Sequence, residues 1–205
     1  MSRAFIFPGQ GSQFVGMGKD LAEAFPAAKD VFDEVDDVLG QKLSRLMFEG
    51  PESDLNLTEN TQPALMAVSL AVMNVLSKEG GIRIEDYASY VAGHSLGEYS
   101  ALAAVSSLEL ADTARLLKLR GQSMQAAVPV GQGAMAAILG LEYDDVKAIA
   151  KDVTGENNIC EAANDNSPGQ VVVSGHVAAV NPAIAMATEN GAKRAVSLPV
   201  SAPFD

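Results

Sequence analysis

The sequence predicts an α/β protein whose parallel-sheet core, incomplete as it stands, carries an inserted ferredoxin-like α+β subdomain. Three observations predict it. Two short apolar runs, residues 4–7 and 90–92, are each followed by a glycine-bearing turn and then by helical periodicity, as in parallel strands joined by helical crossovers. Residues 129–198 run strand, helix, strand, strand, helix, strand, which is the split βαβ order. Two recognisable strands are too few to finish a parallel sheet.

Ala4-Phe5-Ile6-Phe7 reads as a short buried strand ended by Pro8-Gly9. Two or three amphipathic helices are expected within residues 21–48, then a longer, well-buried helix over about 63–78 with apolar residues on several faces. Pro63 suits a first helical turn, where a missing N–H costs little. After the strand at 90–92 come helices over 96–104 and 110–127, the latter bringing Arg115, Lys118 and Arg120. In the second part, 133–139 reads as a strand and 143–153 as a helix. Strands over 159–163 and 170–174 are joined by a turn, Asn164-Asp165-Asn166-Ser167-Pro168-Gly169. A helix over 177–190 stops at Asn190-Gly191, and 193–198 is a last strand. The expected boundaries are 1–128 for the large subdomain, 129–198 for the insertion, and 199–205 for a truncated return segment.

With 205 residues, 48% apolar and 20% charged, the chain can bury a sizeable core as one domain with a smaller insertion. A formal charge of −12, with no basic or aromatic stripe, argues against a nucleic-acid partner. Cys160 is the only cysteine, so no internal disulfide can form, which fits a reducing compartment. The apolar run before Pro8 is too short for a signal peptide, and no stretch approaches the ~18 apolar residues of a membrane span. The expectation is a cytoplasmic protein without a membrane partner.

Gly93-His94-Ser95-Leu96-Gly97 matches G-x-S-x-G between a strand and a helix, the context that exposes a serine hydroxyl on a tight turn. The glycines permit strained backbone and close packing. The Leu96 N–H, opening the next helix, is placed to face a developing oxyanion with the helix dipole behind it. Ser95 is therefore the candidate nucleophile of an acyl-transfer site, although the same letters also suit a plain turn with serine as helix cap. Gly9-Gln10-Gly11-Ser12-Gln13 fails as a dinucleotide fingerprint because Phe14 stands where the third glycine belongs, and Gly18-Lys19-Asp20 breaks a Walker pattern. At the carboxyl edge of a parallel sheet, that loop either supplies a second oxyanion donor or is an ordinary turn. By residue type alone, Arg120 reads as a solvated surface arginine and Met124 as core packing.

Phe7-Pro8-Gly9-Gln10-Gly11-Ser12-Gln13, Gly93-His94-Ser95-Leu96-Gly97-Glu98-Tyr99, Arg120-Gly121 with Met124, and Asn164-Asp165-Asn166-Ser167-Pro168-Gly169-Gln170 form four ordered motifs. On them the chain resembles the malonyl-CoA:acyl carrier protein transacylases of bacterial type II fatty-acid synthesis. The resemblance implies a hydrolase-like core with a ferredoxin-like insertion. It implies that Ser95 attacks the malonyl thioester and forms a malonyl-serine in a ping-pong cycle, with backbone N–H groups of Gln10 and Leu96 holding the oxyanion. Arg120 would pair bidentately with the malonyl carboxylate and, left unpaired, reject acetyl groups. Met124 would line the acyl pocket, with His94 and Asn164 also placed among the substrate-binding residues. Malonyl-CoA is then the substrate and acyl carrier protein the partner, with no bound cofactor and no metal. Since the carrier is acidic, docking would use a local basic patch, either Lys193-Arg194 or Arg115 with Lys118, unless these are ordinary solvated charges.

In the family, the catalytic histidine closes a segment similar to Pro199-Val200-Ser201-Ala202-Pro203-Phe204, and here Asp205 holds that position. The family also continues through a further stretch that completes the large domain. His94 and Ser95, neighbours across a tight elbow, diverge, and His176 reads as a surface residue or helix cap, so neither replaces the missing base. A carboxylate with a reference pKa of about 3.9 is a weak base near neutral pH, and Asp205 would repel the malonyl carboxylate. The resemblance thus implies a transacylase whose activity is impaired in this chain. A serine (thio)esterase and an inert acyl- or carrier-binding fragment are the alternatives.

Overall fold

The structure, a computed structural model, describes residues 3–129 and 131–198. Asp205 and the return segment 199–205 lie outside the described residues. The chain divides into two compact units, Met1–Ser123 and Met124–Asp205, the division falling within one helix.

The first unit opens with β1 (Ala4–Phe7) and continues through α1 (Lys19–Ala24), α2 (Pro26–Leu39), α3 (Leu43–Glu49), α4 (Glu52–Leu55), α5 (Thr58–Lys78) and α6 (Ile84–Tyr87). It ends in β2 (Tyr90–Gly93), α7 (Leu96–Ala104) and the start of α8 (Leu110–Ala127). α2 begins with Pro26 at its first position and turns out of the helix at Gly40, where φ is 59°. Its Val31, Phe32 and Val35 lie on one face and pack with Leu43, Met47, Leu55, Met66, Leu96 and Leu117 into the main core. Phe32 meets Phe48 edge-on at 5.3 Å.

α5 departs from the sequence expectation. It starts at Thr58, so Pro63 sits inside the helix instead of in its first turn. The N–H groups of Asn60 and Thr61 both donate to the Leu57 carbonyl at 2.8 Å, and the Thr61 hydroxyl donates to the Leu55 carbonyl at 2.6 Å. These bonds build a helical turn ahead of the proline from residues whose polarity suggests a loop. Thr58, Thr61 and Gln62 are all fully buried.

β1 and β2 pair in parallel, from Ala4 opposite Tyr90 to Phe7 opposite Gly93. Phe7 packs with Ile84 and Ala101, with Phe5 and Val91 alongside. The opposite face presents Ile6, 70% exposed, and Tyr90, 69% exposed. The expected buried strand is therefore buried only at Phe7, because among the described residues helices cover one face of this pair.

The second unit contains β3 (Gly133–Leu139), α9 (Tyr143–Val153), β4 (Cys160–Ser167), β5 (Gln170–His176), α10 (Val177–Glu189) and β6 (Arg194–Ser197). Its sheet runs β4-β5-β3-β6, antiparallel throughout, so β5 lies between the two strands that α9 joins. Ala136, Ile138, Val171 and Val173 form one core with Val146 and Ile149 of α9 and Val180 and Ala183 of α10. The turn expected over 164–169 shrinks to Pro168-Gly169, with φ of 70° at Gly169. Asn164 pairs with Val172 inside β4, and the strand absorbs its Asn/Asp run through two register shifts.

Candidate active site

Ser95 stands between β2 and α7 with φ 53° and ψ −114°, a strained conformation for a residue with a side chain. The elbow that holds it depends on glycine twice. A Cβ on Gly93 would lie 1.9 Å from the Gly97 carbonyl carbon, and one on Gly97 would lie 2.3 Å from the Phe7 carbonyl oxygen. The Gly97 N–H donates to the His94 carbonyl at 2.9 Å, and the Glu98 N–H to the Ser95 carbonyl at 3.1 Å, closing the turn. Leu96, 1% exposed and first in α7, carries its N–H at the helix end where intrahelical acceptors run out.

The loop after β1 lies against this elbow. The His94 N–H donates to the Phe7 carbonyl at 3.1 Å, and a Cβ on Gly9 would meet His94 Nδ1 at 2.6 Å. Gln10 follows directly, and its Oε1 accepts from the Thr58 hydroxyl at 2.6 Å. Gln13 accepts from the Gly11 N–H and donates to Asn56 Oδ1, both at 2.8 Å. The loop is thus tied to the start of α5 and to the segment just before it.

Arg120 reaches the elbow from α8. Its Nη2 donates to Ser95 Oγ at 3.1 Å and its Nη1 to Gln62 Oε1 at 2.7 Å, while the guanidinium carbon lies 5.9 Å from the Tyr99 ring centre. The close approach of α8 to α5 makes this reach possible. Gly121 faces the α5 backbone so tightly that a Cβ would stand 2.5 Å from Glu59 Cα and 2.8 Å from the Thr58 carbonyl oxygen. Residue type alone reads Arg120 as a solvated arginine. It is half-buried and holds two side chains.

The structure therefore brings Ser95, Leu96, His94, Gln10 and Arg120 together in the first unit. Met124, four residues beyond Arg120 on α8, and Asn164 on β4 belong to the second unit. Thr58, Gln62 and Tyr99 enter the site without having been singled out for a role. The i, i+4 spacing of a threonine and a glutamine is the local signal by which the first two could have been found, but both lie ahead of the helix expected over about 63–78. His176 caps the start of α10 by position, and its Nδ1 accepts from the Ile159 N–H at 2.9 Å, a bond at the end of the sheet.

One docking candidate changes character. Lys118 is 20% exposed and donates to Gln41 Oε1 and Asn60 Oδ1 at 3.0 Å, with Glu59 at 3.7 Å. It is held inside a polar cluster and does not present a charge with Arg115, which itself pairs with Asp112 at 3.0 Å. Lys193 and Arg194 are both exposed. Among the described residues, no three His, Cys, Asp or Glu side chains converge as metal ligands, and no helix is long and apolar enough to cross a membrane.

The acyl transferase domain family matches residues 4–202. The chain belongs to that family. It is 52% identical over 201 residues to the malonyl CoA-acyl carrier protein transacylase of Bacillus subtilis (strain 168), covering 98% of this chain and 62% of the relative. The crystal structure of the acyl-carrier-protein-S-malonyltransferase from Bartonella henselae is 57% identical and superposes with a TM-score of 0.94, over 99% of this chain and 64% of that one. A type II PKS acyl-carrier protein in complex with its malonyl-transacylase matches at 46% identity and a TM-score of 0.92, again over 99% and 64%. The fold is accordingly that of an α/β acyltransferase, and the chain spans somewhat less than two thirds of these relatives' length.

Proposed function

We propose that this chain is the Ser95- and Arg120-bearing part of a malonyl-CoA:acyl carrier protein transacylase, with residues 129–198 inserted between 1–128 and 199–205. The observation that carries this reading is the 3.1 Å bond from Arg120 Nη2 to Ser95 Oγ. A malonyl group has one methylene between its thioester carbonyl and its carboxylate. A cation that grips the carboxylate must therefore stand beside the nucleophile that attacks the carbonyl. A guanidinium in that place offers a forked pair of donors that suits a carboxylate and is left unpaired by an acetyl group. Names of relatives point the same way.

In this reading Ser95 Oγ attacks the thioester carbonyl, and backbone N–H groups of Gln10 and Leu96 stabilise the oxyanion. The carbon–sulfur bond breaks, malonyl remains on Ser95 as an ester, and CoA leaves as the thiol, its sulfur taking up the proton that the serine hydroxyl loses. The carrier's thiol then attacks that ester and regenerates the serine. As the malonyl carboxylate arrives, Arg120 exchanges its bond to Ser95 for the carboxylate, which releases the hydroxyl for attack. Met124, His94 and Asn164 complete the substrate-binding set, and Lys193-Arg194 docks the acidic carrier. The lone, buried Cys160 suits a reducing cytoplasm.

Asp205 stands where the resemblance puts a histidine base, so turnover is slow. Replacing Asp205 by His should raise malonyl transfer by about 100-fold or more. The deciding experiment supplies malonyl-CoA and holo carrier protein and follows malonyl by mass spectrometry. Malonyl on Ser95 and then on the carrier supports transfer, whereas free malonate with an unmodified carrier identifies a (thio)esterase instead. A serine that stays unlabelled by malonyl-CoA and by a fluorophosphonate identifies an inert binding fragment.

A further inference from the structure

Two parts of the site, the guanidinium and the loop carrying the Gln10 N–H, come from segments 110 residues apart in the chain. The structure joins them by hydrogen bonds that all run in one direction. Arg120 Nη1 donates to Gln62 Oε1 at 2.7 Å, Gln62 Nε2 to Thr58 Oγ1 at 3.4 Å, and Thr58 Oγ1 to Gln10 Oε1 at 2.6 Å. Thr58 and Gln62 are fully buried, so water cannot replace a lost link. The cationic end polarises each successive donor, which strengthens a head-to-tail chain. The 3.4 Å middle link is the longest and the most sensitive to displacement of Thr58. Gly121, next to Arg120, presses on the Thr58 carbonyl and the Glu59 backbone. The same short stretch of α5 therefore seats Arg120 through its backbone and Gln10 through its side chain.

We propose that Thr58 is a positioning residue that couples the Arg120 clamp to the Gln10 loop. Movement of the guanidinium onto a substrate carboxylate passes through Gln62 and Thr58 to Gln10, so filling the clamp and setting the oxyanion donor are one event. Thr58 itself touches no substrate. The proposal rests on the acyl-transfer reading for its consequence in catalysis, but the coupling is a property of the protein alone.

The test uses Thr58→Val, which keeps the shape and removes the hydroxyl, and Thr58→Ser, which keeps the hydroxyl. NMR follows the Gln10 backbone amide and the Arg120 Nε–H, and mass spectrometry follows single-turnover acylation of Ser95 by malonyl-CoA and acetyl-CoA. T58V is expected to shift both resonances, to slow malonyl acylation about tenfold with little change for acetyl, and T58S to restore all of these. If either resonance is unmoved in T58V, or malonyl and acetyl rates fall equally, the proposal is overturned. If the wild type shows no acylation, the functional reading fails while the resonances still decide the coupling. Should T58V not fold, Gln10→Met probes the chain from the other end, and an unmoved Arg120 Nε–H there overturns it.

Discussion

Arg120 and Ser95 meet through a single hydrogen bond of 3.1 Å from guanidinium Nη2 to hydroxyl Oγ. The bond joins α8 to the β2–α7 elbow, and its donor belongs to a group whose other arm is held by the buried Gln62. Arg120→Lys keeps the charge and loses the fork. Malonyl acylation of Ser95 should fall by about 100-fold, while Arg120→Gln should lose malonyl acylation and narrow the preference over acetyl-CoA. Paired rate measurements with the two thioesters check this, and an unchanged preference in Arg120→Gln would remove Arg120 from the acyl pocket.

Gly93→Ala should destabilise the protein by about 3 kcal/mol or more. The added Cβ meets backbone atoms of Gly97 at 1.9 and 2.0 Å, where no side-chain rotation gives relief. Urea unfolding measures the loss, and a wild-type midpoint would show that the elbow opens without penalty.

Burial pushes the Cys160 thiol up to about 11, with the neighbouring Glu161 adding to the shift. The folded state thus favours the protonated thiol. The stability this gives is present below the ordinary value of 9.0 and is lost as pH rises through about 11. Iodoacetamide should leave Cys160 unmodified in the folded protein at pH 8 and react promptly once urea unfolds it. Rapid labelling of the folded protein at pH 8 would contradict the buried placement.

Ile6 and Tyr90 stand on the face of the β1–β2 pair that no helix covers among the described residues. Parallel strands are ordinarily covered on both faces, so this face should bind a hydrophobic dye and promote association as concentration rises. The double substitution of Ile6 and Tyr90 by Thr should lower both effects without loss of helix signal. Light scattering identical in the two proteins would place the association elsewhere.

Much of the fold was legible because periodicity and punctuation agreed. Leu96–Ala104, Leu110–Ala127, Gly133–Leu139 and Tyr143–Val153 occupy the spans their patterns indicate. The elbow was legible for the same reason, since Gly93 and Gly97 leave few alternatives for the backbone between them. The head of α5 was not, because Thr58, Asn60, Thr61 and Gln62 are polar, and Thr58 and Gln62 are held by partners far away in sequence. Gln10 lies 48 residues before Thr58, and Arg120 lies 58 after Gln62. β4 was shortened for a related reason. Asn164, Asp165 and Asn166 have turn chemistry, and only pairing with β5 across two register shifts keeps them extended. Residue type alone left Arg120 on the surface and only the resemblance drew it to the site, because no local pattern encodes its contacts with Gln62 and Ser95.

Those two irregularities in β4 have a consequence for how the second unit behaves beside other molecules. A sheet rim with a regular row of unpaired amides invites a foreign strand to add to it. β4 forms one rim of the β4-β5-β3-β6 sheet, and its broken register denies an incoming strand a continuous ladder, with Glu161 and Asp165 adding charge. β6 forms the other rim with only four residues, beginning at Arg194. The antiparallel sheet is thus guarded at both rims against templating its own polymerisation.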